Sequence, residues 1–151
     1  MSNKAIVLLS GGLDSAVTLY VAKKKGYKCI PLIFDYGQRQ AREIDSAKKI
    51  AHKAKCDYTL LKITLPWKGS ALLDNKIKVP EKRGKGIPPT YVPARNTIMF
   101  SYGLSFAEAI DAKAIFIGAH TEDYSGYPDC RPDILRRWIR SKIWEQKTAN
   151  L

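Results

Sequence analysis

Six consecutive residues, Ser10 to Ser15, read SGGLDS at a point where an apolar run gives way to a helical pattern. Glycine allows positive φ angles and lets backbone N–H groups approach a ligand without a Cβ atom in the way. The start of a helix adds unpaired N–H donors and a partial positive charge, which suit phosphate. Ser10 and Ser15 add hydroxyl donors, and Asp14 suits a helix cap or a Mg²⁺ ion. These residues predict a phosphate-binding loop.

An alternative for this segment is a tight turn followed by a helix cap, which would explain each residue singly. Two familiar phosphate loops are excluded, because the chain contains neither G-x-x-x-x-G-K-[ST] nor a G-x-G-x-x-G spacing at this position. The coincidence of glycines, hydroxyls and a carboxylate directly after an apolar run favours the binding loop.

Further candidate residues lie outside this segment. Phe34 and Tyr36 end a predicted strand, where an adenine ring could rest on an apolar edge and read backbone groups; the alternative is a pair of core aromatics. Arg95 begins a helix after a proline and could bind phosphates in a bidentate manner, with a structural ion pair as its rival. His120 follows a predicted strand, although a lone histidine is more typical of an ordinary loop.

The elements that must position these residues alternate between strand and helix. Continuous apolar runs predict strands buried on both faces at Ala5–Leu9, Cys29–Phe34, Tyr58–Ile63 and Ala114–Gly118. Helical patterns lie between them at Ser15–Lys25, Arg39–Lys55 and Ala94–Ala112. This order predicts an α/β fold with a doubly wound, mostly parallel sheet and helices on both faces. Ligands are expected at the carboxyl ends of its strands.

Two segments interrupt or follow this alternation. Residues 65–93 form a long connection rich in proline, glycine and basic residues, for which a mobile lid and a merely solvated loop are both open. Residues 133–151 predict a basic amphipathic helix with Trp138 and Ile139 on its apolar face. We therefore divide the chain into a domain at 1–132 and a C-terminal helix at 133–151.

Composition limits the class of protein. The 151 residues fit one domain, and 26 Lys and Arg against 14 Asp and Glu give a net charge of +12. A polyanionic ligand or a Lys-rich solvated surface would each explain this charge. The three cysteines are widely spaced without a C-x-x-C pair, and no apolar run could span a bilayer. We expect a cytoplasmic protein with no membrane partner and no protein-bound metal site.

Several segments carry a resemblance to known families. SGGLDS resembles the PP-loop of the ATP pyrophosphatase family, which has the adenine nucleotide alpha hydrolase-like fold. FDYGQRQ, YVPARN, IFIGAH and above all DYSGYPDCRP resemble, in order and spacing, the 7-cyano-7-deazaguanine synthase (QueC-like) family of the queuosine pathway. This resemblance covers about residues 4 to 132.

The resemblance implies an ATP- and Mg²⁺-dependent ligase that converts 7-carboxy-7-deazaguanine and ammonia to 7-cyano-7-deazaguanine through an adenylated carboxylate. The residues that we expect to bind ATP are Leu8, Leu9, Ser10, Gly11, Gly12, Leu13, Asp14, Ser15, Ala16, Val17, Thr18, Phe34, Arg95 and Gly118. Those expected to contact the deazaguanine are Asp123, Tyr124, Ser125, Gly126, Tyr127 and Asp129. The candidate catalytic residues are Asp14, Ser15, Arg95, Asp129 and Arg131.

This sequence departs from the resembled family after residue 132. Relatives are longer and carry a further Lys-containing motif and a four-cysteine zinc cluster, whose ligands are absent from these 151 residues. Two alternatives follow: a catalytically impaired ATP- or nucleobase-binding remnant, and a PP-loop protein that modifies or binds RNA. Nucleic acid is not expected as a partner, because the basic motifs with interleaved aromatics are missing. Since relatives are dimers, we expect a homo-oligomer.

Overall fold

A four-stranded parallel sheet forms the centre of the computed structural model, which describes residues 3–38, 41–67, 70, 91–118, 128–131 and 133. The strands are β1 (Lys4–Leu8), β2 (Lys28–Asp35), β3 (Thr59–Lys62) and β4 (Ala114–Phe116), in the spatial order β3-β2-β1-β4. All three neighbouring pairs are parallel. The connection from β1 to β2 runs in one direction and that to β4 runs in the other, so the sheet is doubly wound.

The central strands are apolar on both faces because helices cover both. In β1, Ala5, Ile6 and Val7 are fully buried. Alternate side chains point to opposite faces of a strand, and Val7 packs in one core cluster while Ile6 packs in another. The apolar runs are therefore continuous because these strands are buried on both faces, as the sequence predicted.

Three helices of the described part of the chain cover the sheet. Helices α1 (Leu13–Lys24) and α2 (Ala41–Lys53) contribute Leu19, Ala22, Ala47 and Ala51 to the core on the Val7 side. Helix α3 (Arg95–Ala109) contributes Ala107 to the core on the Ile6 side. The predicted doubly wound α/β fold is confirmed. Among the described residues, no helix has the length and apolar character needed to cross a membrane.

Each helix ends in the same way. After α1, Gly26 has φ +85°; after α2 and α3, Lys55 and Asp111 adopt φ +54° and +52°. In each case two crossed hydrogen bonds close the end, as in Cys56 N–H to Ala51 O at 3.0 Å, which is the Schellman pattern. Only the first of these three positions is a glycine. The predicted ends at Lys55 and Ala112 were therefore two and three residues too late, because non-glycine residues take the left-handed conformation there.

Some predicted features fall outside the described residues. They are the segments 71–90 and 119–127 and the C-terminal helix after residue 133. The strand predicted at Ala114–Gly118 ends earlier, at Phe116. The two residues that follow lead the chain toward the start of α1, as described next.

Candidate nucleotide-binding site

The loop between β1 and α1 is organised around the hydroxyl of Ser15. This hydroxyl donates to Gly12 O at 2.9 Å, and it accepts from Ser10 Oγ at 3.1 Å and from Ser10 N–H at 3.3 Å. Ser15 is buried, whereas Ser10 and Gly12 are exposed. The Ser15 side chain thus holds the loop in shape from within, and the Ser10 side of the loop faces outward.

Gly11 is fixed by the neighbouring helix α2. Its φ is +90°, and an added Cβ atom would lie 2.3 Å from Glu43 O, which no side chain could tolerate. Ser46 on the same helix donates from its hydroxyl to Gly11 O at 2.9 Å. The first glycine of the loop is therefore required both by its backbone angle and by the close approach of α2.

Gly118 brings the chain after β4 against the first turn of α1. A Cβ atom added there would lie 2.9 Å from Ser15 N and 3.0 Å from the carbonyl carbon of Asp14. The absence of a side chain allows the ends of β1 and β4 to close around the helix start. The segment after β4 therefore lies at the start of α1, beside the loop of residues 10–15. Helix starts attract anions.

At the end of β2, aromatic residues and a side-chain amide continue the same edge of the sheet. Phe34 and Tyr36 are buried, with 6% and 7% of their surface exposed. The Gln38 side chain donates from Nε2 to Phe34 O at 3.2 Å, and its Oε1 accepts from Tyr36 N–H at 3.0 Å. This amide closes the backbone edge at the end of β2.

Arg95, the first residue of α3, is held against Tyr36. Its Nη1 donates to the Tyr36 hydroxyl oxygen at 3.1 Å, and its guanidinium carbon lies 5.8 Å from the centre of that ring. The contact combines a hydrogen bond with a cation–π interaction. It fixes a positive charge beside the loop of residues 10–15.

The start of α3 is capped by a residue far along the chain. Ala94 precedes the helix with φ +52° and has no side-chain oxygen with which to cap it. Asp129 supplies the missing acceptor: its Oδ2 accepts from Asn96 N–H at 2.7 Å, and its Oδ1 accepts from Asn96 Nδ2 at 3.3 Å. Asp129 is buried, with 4% of its surface exposed. A buried carboxylate at a helix start satisfies backbone donors and complements the helix dipole.

These segments enclose a cavity of about 480 Å³ at the carboxyl edge of the sheet. This volume lies within the usual range for small-molecule sites. Its lining includes the following residues expected from the sequence: Leu8, Leu9, Ser10, Gly11, Gly12, Ser15, Phe34, Arg95, Gly118 and Asp129. The cavity joins an anion-suited loop, an apolar shelf and a guanidinium in one space.

The other expected site residues do not line this cavity or lie outside the described residues. Leu13 and Val17 are exposed, at 79% and 53% of their surface, and Asp14 is exposed on the first turn of α1. Ala16 and Thr18 belong to the same helix, and Arg131 is exposed just after the 3₁₀ turn Pro128–Cys130. Asp123 to Tyr127 lie outside the described residues, as does His120.

Sequence reasoning missed part of the lining. Gln38 and Ser46 were not among the expected site residues, and Tyr36 was considered only as an aromatic. Gln38 follows a predicted strand end within FDYGQRQ, so its position was a usable signal. Ser46 lies in the middle of a helix, and the pattern of that helix says nothing about its contact with Gly11.

Two thiols lie well away from this cavity, among the core residues under α1 and α2. Burial raises the pKa of the Cys29 thiol to about 11, and burial also raises the pKa of Cys56. Both thiols therefore stay protonated near neutral pH. Within the described ranges, no group of three or more His, Cys, Asp or Glu side chains is arranged to hold a metal ion.

Comparison with known proteins identifies the family to which this chain is similar. The model of the family described as queuosine biosynthesis protein QueC matches residues 4–142. A 7-cyano-7-deazaguanine synthase from Alcanivorax borkumensis is 53% identical over 134 residues, covering 87% of this chain and 60% of the relative. One from Pseudomonas putida is 48% identical over 139 residues, covering 91% of this chain and 62% of the relative. The chain thus spans about 60% of the length of these relatives.

A solved structure supports the fold independently. The U34-tRNA thiolase NcsA from Methanococcus maripaludis superposes with a TM-score of 0.53 at 18% identity, covering 96% of this chain and 46% of that protein. At this identity the likeness concerns the arrangement of strands and helices alone.

Proposed function

This chain belongs to the QueC family of queuosine biosynthesis proteins, and from that membership we propose that it binds ATP and makes 7-cyano-7-deazaguanine from 7-carboxy-7-deazaguanine and ammonia. The observation that carries the proposal is the cavity itself. One end is a glycine loop at a helix start, and the other is the backbone edge and aromatic shelf at the end of β2. A nucleotide needs both ends, one for its phosphates and one for its base.

In this proposal the phosphates of ATP bind at the loop of residues 10–15. The backbone there carries no Cβ at Gly11 or Gly12, and the start of α1 contributes its partial positive charge. Ser15 shapes the loop through its three internal hydrogen bonds. Its role is thus to position the backbone donors.

The adenine of ATP is proposed to lie beside the end of β2. Phe34 is buried and tilted against Tyr102 of α3, with ring centres 6.2 Å apart, which leaves an apolar shelf at this edge. The backbone groups of Phe34 and Tyr36 lie there with one acceptor and one donor. Adenine presents one donor and one acceptor on its N6 and N1 edge, so the two sets are complementary.

Arg95 is proposed to neutralise negative charge during the reaction. Its guanidinium, fixed by Tyr36, lines the cavity together with Asp129. A preorganised cation lowers the energy of a transition state in which negative charge moves to the leaving pyrophosphate. Asp129 and the residues from Asp123 to Tyr127 remain proposed contacts for the deazaguanine, and Arg131 remains a proposed catalytic residue.

The chemistry then consists of two adenylations. A carboxylate oxygen attacks the α-phosphorus of ATP and pyrophosphate leaves; ammonia next attacks the acyl carbon and AMP leaves, which gives an amide. The amide oxygen attacks the α-phosphorus of a second ATP, and pyrophosphate and one N–H proton leave; elimination of AMP and the remaining N–H proton then gives the nitrile. Each oxygen of the original carboxylate departs in one AMP. The protein contributes position and charge and needs no covalent nucleophile.

Mg²⁺ is proposed to enter with ATP. Mg²⁺ is commonly held by one or two carboxylates together with substrate phosphates, and the exposed Asp14 beside the loop fits that arrangement. The ion would shield phosphate charge. We place no zinc ion on the described thiols of Cys29 and Cys56, because burial raises the pKa of both.

The test is a reaction of the purified protein with ATP, Mg²⁺, ammonia and 7-carboxy-7-deazaguanine, followed by mass spectrometry. We expect nitrile together with AMP, and we expect Arg95→Ala to abolish both while the protein stays folded. Formation of ADP instead of AMP would contradict adenylation. ATP binding without any product would favour the alternative of a nucleotide-binding protein that has lost turnover.

A further inference from the structure

The side-chain amide of Gln38 occupies two backbone groups at the edge of the cavity. Its Nε2 donates to Phe34 O at 3.2 Å, and its Oε1 accepts from Tyr36 N–H at 3.0 Å. Both distances are normal for hydrogen bonds. One planar amide therefore uses one acceptor and one donor that are two residues apart on the same backbone edge.

These groups continue the ladder between β1 and β2. In a parallel sheet, alternate residues of a strand point their C=O and N–H groups to the same neighbour. Leu32 O accepts from Leu9 N–H at 3.0 Å, while Asp35 O accepts from Ile63 N–H on the other side at 2.8 Å. Phe34 O therefore points toward β1, past the place where the chain of β1 turns into the glycine loop.

The Gln38 amide takes the position that a further residue of β1 would have filled. It is held by a short turn in which Gly37 has φ +77°, is exposed and has open space around its Cα. Within the turn, Gly37 N–H donates to Asp35 Oδ1 at 3.3 Å. The half-buried amide is thus attached through an exposed turn that has room to rearrange.

The hydrogen-bonding edge of a primary amide matches that of adenine. In both, an N–H donor and an acceptor with a lone pair are attached to one sp² carbon and point in the same direction. The N6 amino group of adenine could donate to Phe34 O while N1 accepts from Tyr36 N–H. Hypoxanthine presents O6 and N1–H with donor and acceptor reversed, so it could not form this pair.

We propose that Gln38 is an internal competitor of adenine: its amide fills the base-reading groups of β2 and is displaced by the base when ATP binds. The proposal rests on the adenine position given under the proposed function. It adds a residue that sets both affinity and base selectivity, since only a base with the same edge regains the hydrogen bonds that the amide gives up.

Two substitutions test this competition. In Gln38→Ala the amide is removed, and in Gln38→Met the length is retained without a donor or strong acceptor. Because two neutral hydrogen bonds no longer have to be broken, we expect ATP to bind about tenfold more tightly to both variants. Inorganic tripolyphosphate, which occupies only the glycine loop, should bind all three proteins equally. ITP should gain nothing from either substitution.

A measurement on the unchanged protein avoids any effect of substitution on folding. The side-chain ¹⁵N–¹H signals of Gln38 are assigned by their absence in Gln38→Met. We expect ATP to move them to the position of a solvated amide, and we expect tripolyphosphate to leave them in place. Signals that stay fixed on saturation with ATP would overturn the proposal.

The binding results separate the possible failures. Equal weakening of ATP and tripolyphosphate in both variants would mean that Gln38 only supports the loop, and unchanged ATP affinity would mean that the base does not replace it. If both substitutions raised the affinity for ITP by the same factor as that for ATP, the Gln38 side chain would only obstruct the cavity sterically. Each of these overturns the inference and leaves ATP binding intact, whereas failure of the unchanged protein to bind either ligand would overturn the proposed function.

Discussion

The guanidinium of Arg95 is held by the hydroxyl of Tyr36, 59 residues earlier in the chain, through a hydrogen bond of 3.1 Å. The bond joins the start of α3 to the end of β2, and both residues line the cavity. Two elements on different parts of the sheet are thereby fixed relative to each other. The charge that faces the nucleotide is positioned by an aromatic residue that need not contact the phosphates itself.

Tyr36→Phe tests this positioning. The ring and its cation–π contact remain, but the acceptor for Arg95 is lost, so we expect kcat/KM for ATP to fall about tenfold or more, as for the loss of one hydrogen bond to a charged group. Steady-state AMP formation gives the value. Arg95→Lys, which keeps the charge without the planar fork, is the matched comparison. If Tyr36→Phe changes only the thermal stability, Tyr36 serves the core alone.

Ser15→Ala tests the internal hydrogen bonds of the glycine loop. The substitution removes the partner of Gly12 O and of two donors from Ser10. We expect ATP affinity to fall about tenfold or more, because the loop loses its fixed shape. Ser101→Ala is the control, since this hydroxyl donates within α3, to Thr97 O at 2.9 Å. Equal losses in both variants, measured by calorimetry, would contradict a special role for Ser15.

Gly11→Ala should destabilise the protein severely. The added methyl group would lie 2.3 Å from Glu43 O, at a φ of +90°, so α2 must move or the loop must change. We expect a loss of about 3 kcal/mol or more in the free energy of unfolding. Gly26→Ala provides the control, because φ is +85° there but the space around it is open. Its cost should be only the strain of about 1 kcal/mol, measured by urea denaturation.

Lys55→Gly should stabilise the protein. Lys55 ends α2 with φ +54°, a conformation that is strained for a residue with a Cβ atom and unstrained for glycine. We expect a gain of about 0.5 to 1 kcal/mol in the free energy of unfolding. Lys53→Gly, two residues earlier and still helical, should instead cost about 1 kcal/mol. If both substitutions destabilise, the left-handed end of α2 is not formed.

The Cys29 thiol predicts how stability depends on pH. Burial raises its pKa from 9.0 to about 11, so the unfolded chain loses this proton at a lower pH than the folded protein. The contribution of this thiol to the free energy of unfolding is therefore fully present below about pH 9 and is lost as pH rises toward 11. Urea denaturation across this interval should show a decline that is shallower in Cys29→Ala. Parallel curves for the two proteins would show that Cys29 does not carry the effect.

The sequence predicted the sheet well because its strands are buried on both faces. A run such as Ala5 to Val7, fully buried here, has no other stable environment in a protein of this size. The glycine loop was predictable for a related reason, since its conformation is encoded by local residues. Helix ends at Lys55 and Asp111 were not, because the stability of the whole fold imposes a left-handed conformation that these residues do not favour.

Contacts between distant residues were the least predictable part of the site. Nothing in the pattern of α2 marks Ser46 as the donor to Gly11 O, and nothing local links Asn96 to Asp129. Such contacts arise when a loop from one element passes the end of another. Their partners are therefore visible only once the topology places those ends together.

The cap of α3 also bears on how the site comes together during protein synthesis. The four strands among the described residues are complete at Phe116, yet the carboxylate that binds the Asn96 N–H belongs to Asp129. As the chain leaves the ribosome, the strands that the structure describes therefore emerge before the residue that fixes the first turn of α3. Arg95 receives its final support late, so the nucleotide site matures after the scaffold that carries it.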